Sequence, residues 1–131
     1  MTGSGYEKIN LMSRTTLAFV FFYHGLVSKI IIMDDSEREI IEAHAFLSSS
    51  DAILLASGVA EIILATLLVI FRNSLLTIYL VIVILLLLLI DIALFTPHIL
   101  FQAFSPVTLN MVCLVLCWVV IITHQNKGEL P

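Results

Sequence analysis

Between Ser74 and Phe95 the chain carries one charged residue, Asp91, in a run otherwise built almost wholly from Leu, Ile and Val. A membrane-crossing helix needs about 20 mainly apolar residues, and this run supplies them without a break. Three more segments qualify: Arg14 to Met33, Asp51 or Ala52 to Phe71, and Pro106 to Thr123. The expected spans are therefore about 14–33, 52–71, 74–95 and 106–123, in one four-helix transmembrane domain over 14–123. Residues 1–13 form a segment before it and 124–131 a short polar tail. Pro97 closes the third span, because it disfavours helix at Thr96 and lacks a backbone donor. Pro106 suits the first turn of the fourth, where no donor is needed. The fold class expected is all-α, an integral membrane four-helix bundle with short interfacial helices in two of its connections.

Composition agrees. Of 131 residues, 60% are hydrophobic and 12% charged, whereas a soluble domain has about 45–50% apolar and about 25% charged residues. One small core cannot hide that excess from water, so it reads as lipid-facing side chain. The six basic residues are scattered, with no run to track phosphates, and no nucleic-acid partner is expected. Cys113 and Cys117 are four apart in an apolar stretch, a poor geometry for a disulfide, and read as small core residues. A cleaved signal peptide fits badly. His24 and Lys29 interrupt the first apolar run, and Ala43-His44-Ala45 lies ten residues beyond Met33, too far for a cleavage site.

Lys8, Arg14, Arg72 and Lys127 fall on one side of the four spans and only Arg38 on the other. The positive-inside rule then puts both termini in the cytoplasm. The acidic connection from Asp34 to Asp51 and the aromatic one from Pro97 to Pro106 lie outside. In the first, Ile40, Ile41, Ala43 and Phe46 or Leu47 can form one face of a short helix after Ser36, with Glu39 as a capping-box partner.

The informative residues are polar groups placed in lipid. A charge at mid-bilayer costs roughly 2.5–3.5 kcal/mol and normally faces a bundle interior, a cavity or a partner. His24 and Glu61 are each nine residues from the outer end of their spans, about 13–14 Å deep at the helical rise. Lys29, Asp91 and Asn110 lie about 6 Å deep. Each of the four spans supplies polar groups to the outer half, and the inner half is nearly uninterrupted Leu, Ile and Val. Gly25, Ser57 and Gly58 are small residues that permit close helix approach. The bland readings are that Lys29 and Asp91 reach interface water, and that His24 and Glu61 only fix packing. Zinc would want three or four converging ligands, and His24 and Glu61 supply two, so no metal site is expected. No Walker loop, Gly-x-Gly-x-x-Gly or Gly-x-Ser-x-Gly is present.

Three motifs occur in order: Phe22-Tyr23-His24-Gly25-Leu26-Val27-Ser28-Lys29, Gly58-Val59-Ala60-Glu61, and Phe104-Ser105-Pro106-Val107-Thr108-Leu109-Asn110. Together they resemble the DoxX-like family of small four-helix bacterial membrane proteins, over about Arg14 to Thr123. That family shows Gly-Leu-x-x-Lys in the first helix, Gly-x-x-Glu in the second and Pro-x-x-x-Asn entering the fourth. The resemblance implies a bacterial inner-membrane protein, linked through some relatives to quinone-dependent or redox complexes, with a membrane or redox partner subunit. No intrinsic cofactor is implied. Asp91 is not one of the motif positions.

These residues leave three readings. The first is a redox-associated subunit that holds a quinone or similar lipid in an apolar slot with polar groups at its carbonyls. The second is a structural or adaptor subunit whose buried charges lock the bundle. The third is a small-solute transporter, which four helices would build only as a homo-oligomer. In the first two, His24, Lys29, Glu61 and Asn110 line one polar site, which Asp91 joins at the level of Lys29, and Lys29 pairs with Glu61 or Asp91.

Overall fold

The computed structural model describes residues 3–44, 50–101 and 105–126. Phe46, Leu47 and Phe104, which figured in the sequence expectations, lie outside the described residues. The chain is helical throughout the described parts. Helix α1 spans Gly3–Tyr23 and runs on as a π-helical segment, His24–Ile31. Helix α2 (Asp35–Glu42) follows, then α3 (Ser50–Ile70), α4 (Leu76–Phe95), a 3-10 turn at Pro97–Phe101 and α5 (Pro106–Gln125). Helices α3, α4 and α5 are long and apolar enough to cross a membrane, and the first helix with α2 makes a bent fourth candidate. Leu76 (76% exposed), Leu94 (71%) and Trp118 (67%) cover its outside. Monomeric soluble proteins rarely show so continuous an apolar surface, so the fold is a membrane helical bundle.

The ends of the elements follow local chemistry. Pro106 opens α5 with Ser105 as its cap, the hydroxyl accepting from the Val107 amide at 3.1 Å. Thr96, before Pro97, has left the helical region and ends α4. The cap of α2 is Asp34, which accepts from the Ser36 amide at 2.9 Å, so the helix starts before the expected Ser36. Asp35 and Glu37 in its first turn suit the positive end of the helix. Met33 adopts a left-handed conformation, φ 53°, and the chain turns there by 83° from the first helix into α2.

The first helix differs most from expectation. It begins at Gly3, not near Arg14, so most of the segment assigned to 1–13 is helix. Its inward face there is polar. Asn10 donates through Nδ2 to the Val120 carbonyl and to Thr123 Oγ1, both at 2.9 Å. The Arg14 guanidinium donates to Asn10 Oδ1 (3.2 Å), Thr77 Oγ1 (3.4 Å) and the Ser74 carbonyl (2.8 Å). These bonds tie α1 to the end of α5 and to the start of α4, at what we call the turn end of the bundle. Above them lies an apolar core that includes Leu17, Phe21, Leu64, Leu68, Ile78, Val81, Cys113, Cys117 and Val120. Both cysteines are free thiols buried in it. Beyond the core, towards α2, is the loop end.

Candidate functional site

At the loop end, the π segment and α3 meet backbone to backbone. A methyl group on Gly25 would lie 2.6 Å from the Gly58 carbonyl oxygen, and one on Gly58 would lie 2.8 Å from that of Gly25. Two glycines allow this approach, as small residues do between membrane helices. Ser57, the residue before Gly58, lines a cavity and donates to its own helix at the Leu54 carbonyl.

The close approach brings Glu61 against the π segment. Lys29 Nζ donates to Glu61 Oε1 at 2.7 Å, and His24 Nδ1 lies 3.0 Å from Glu61 Oε2. His24 and Lys29 are five residues apart. In an α-helix that spacing separates side chains by about 140° around the axis, and one carboxylate does not reach both. In the π segment the bonds run i→i+5, as from the Ile32 amide to the Val27 carbonyl at 2.9 Å. Residues five apart then lie on one face. The local widening of the helix is what gives Glu61 two partners.

A fourth group comes from α2. Glu37 accepts from Lys29 Nζ at 3.3 Å and lies 3.3 Å from His24 Nε2. Each nitrogen of the His24 ring therefore faces a carboxylate, and both donate only when the ring carries two protons. Two cations then balance two carboxylates, which lowers the cost of burying all four. Lys29 is 6% exposed, so it does not extend to the surface water. Glu37 was not among the expected site residues. A signal for it exists: Glu37, Ile40, Ile41 and His44 recur at helical spacing and all line the cavity.

That cavity, about 760 Å³, lies between the first helix, α3, α4, α5 and α2. Its apolar walls include Val20, Phe21, Leu85, Leu88, Ile92 and Cys113, and its polar lining includes His24, Lys29, Glu37, Glu61, Asp91 and Asn110. Asn110 is 8% exposed and projects from the first turns of α5. Its carboxamide has no hydrogen-bond partner among the described residues. Asp91 lines the same space, but its partner is His44, not Lys29: His44 Nε2 lies 3.1 Å from Asp91 Oδ1. The His44 ring also donates through Nδ1 to the Ile40 carbonyl (3.1 Å) and packs on Phe95 at 4.5 Å between centroids. Helix α2 thus caps the cavity, held further by Glu39 to His98 (2.8 Å) and Arg38 to Asp51 (3.0 Å). Among the described residues, no group of three or more His, Cys, Asp or Glu is placed to hold a metal ion.

All three motif regions meet here: Gly25 to Lys29, Gly58 to Glu61, and Asn110 behind Pro106. No curated protein and no solved structure matches the chain. The model of the DoxX-like family matches residues 18–118, which include every residue lining the cavity. With three-quarters of its length aligned to that model, the chain belongs to the DoxX-like family.

Proposed function

We propose that the loop-end cavity binds a lipid-soluble molecule bearing a carbonyl or hydroxyl group, a quinone in the reading that the family suggests, and that the chain serves as a binding subunit of a membrane redox assembly. Asn110 carries the reading. Its carboxamide lines a space of about 760 Å³ and bonds no described side chain, so it is available to a guest, and a hydrogen bond made there contributes about 0.5–1.5 kcal/mol. Ligand sites have about 300–1,000 Å³, mostly apolar walls and a few placed polar groups. A ring would lie among Phe21, Leu85 and Ile92, with a carbonyl accepting from the Asn110 amide. The orientation in this reading follows the basic residues, with both termini cytoplasmic and α2 on the outer side of a bacterial inner membrane.

The test is binding of a quinone without an isoprenoid tail, menadione, to the purified protein in nanodiscs, followed by a shift in thermal unfolding. Saturable stabilisation is expected in the wild type. Asn110→Leu should bind about tenfold more weakly, the loss of one good hydrogen bond. The structural reading is favoured by one observation: His24, Lys29, Glu37 and Glu61 already contact one another directly. It would be correct if menadione has no saturable effect and Asn110→Leu is more stable than the wild type.

A further inference from the structure

The turn end holds a second site that the loop-end reading does not use. Arg14 is 2% exposed, yet none of its partners is an acid. Its three hydrogen bonds end on a carboxamide, a hydroxyl and a carbonyl. A guanidinium has five N–H donors and a permanent charge, so two donors have no partner, and the charge faces no carboxylate, among the described residues. Arg72, in the connection between α3 and α4, is exposed and has no ion pair among the described residues. Both arginines line one cavity of about 280 Å³ between α1 and the end of α3. The remaining wall is mainly apolar, and Leu11, Val69 and Ile70 continue from it onto the lipid-facing surface. Six of the chain's ten acids lie between Asp34 and Asp51, at the opposite end; Glu7 of α1 is exposed, and among the described residues no acid lines this cavity.

We propose that this cavity binds the phosphate of an anionic phospholipid. Thr77, which bonds Arg14, is the second residue of α4, so the arginine lies at the edge of the hydrocarbon layer, where phosphates are found. Arg72 meets the phosphate at the mouth, and Arg14 stands behind it as a fixed positive charge. The acyl chains run along Leu11, Val69 and Ile70. Basic pockets between membrane helices bind anionic head groups in this way. The apolar wall favours a lipid over free phosphate, which would leave those side chains uncovered.

Native mass spectrometry and thermal unfolding of the delipidated protein in detergent test this, with phosphatidylglycerol, phosphatidylcholine or inorganic phosphate added. Phosphatidylglycerol should remain bound and stabilise; phosphatidylcholine and inorganic phosphate should not. Arg14 ties α1 to the start of α4 and orients Asn10, which bonds α5, so Arg14→Gln is expected to unfold the bundle. Arg72→Gln is therefore the diagnostic variant. It should fold and bind phosphatidylglycerol about five- to tenfold more weakly, the effect of one arginine near a membrane surface. Arg38→Gln, at the other end, should bind as the wild type does. Equal stabilisation by both lipids, or an unchanged affinity in Arg72→Gln, overturns the proposal. Stabilisation by inorganic phosphate equal to that by phosphatidylglycerol overturns the lipid assignment.

Discussion

Removing Lys29 tests how the buried charges are coupled. At 2.7 Å from Glu61, the attraction is about 6 kcal/mol at an effective dielectric constant near 20. Most of that offsets the desolvation of two buried ions. Removing one partner still leaves an uncompensated charge, and such changes cost about 3–5 kcal/mol. Lys29→Met should lie in that range, because Glu61 and Glu37 are left with His24 alone. Glu61→Gln should cost less, about 1.5–3 kcal/mol, because Lys29 keeps Glu37 at 3.3 Å. The double variant should recover at least about 1 kcal/mol relative to the sum of the singles, as coupled contacts do. Unfolding by sodium dodecyl sulfate in mixed micelles, followed by far-ultraviolet circular dichroism, measures all three. If Lys29→Met matches the wild type within about 0.5 kcal/mol, or the two changes simply add, the network is not a coupled buried unit.

Three further outcomes follow from the same geometry. Gly25→Ala would force a methyl group to within 2.6 Å of the Gly58 carbonyl; it should destabilise by about 1–3 kcal/mol, as overpacking does, and normal stability would show that the helices separate freely. Deleting Leu26 puts His24 and Lys29 four residues apart, so a regular α-helix would present both to Glu61; this variant should fold and keep the Lys29–Glu61 coupling, whereas inserting Ala after Leu26 should abolish it in the same double-variant measurement. Topology is open to cysteine labelling in a Cys-free background, with Cys113 and Cys117 replaced by Ala: if both termini are cytoplasmic, Asp35→Cys should react from outside and Asn73→Cys should not, and the reverse pattern would invert the orientation.

Some of this was legible along the chain because the property concerned is local. A run such as Ser74 to Phe95 is committed to lipid by its own composition, and Pro97 and Pro106 mark boundaries through their own missing donors. The depths of His24, Lys29, Glu61 and Asn110 follow from counting residues along spans, and the three motifs point to the family for the same reason. Partners are another matter, because they depend on how separate elements are placed. Counting puts Asp91 at the depth of Lys29, but it bonds to His44, since α2 folds back across the bundle at Met33. Glu37 belongs by sequence to an acidic connection and enters the cavity only through that 83° turn. Arg14 counts in the sequence as a topological charge, yet it is buried because α1 begins eleven residues earlier and carries Asn10 to α5. The π segment shows the limit most directly. A periodicity of 3.6 puts His24 and Lys29 on different faces; in the folded chain the wider segment, packed with Gly25 on Gly58, brings both to Glu61.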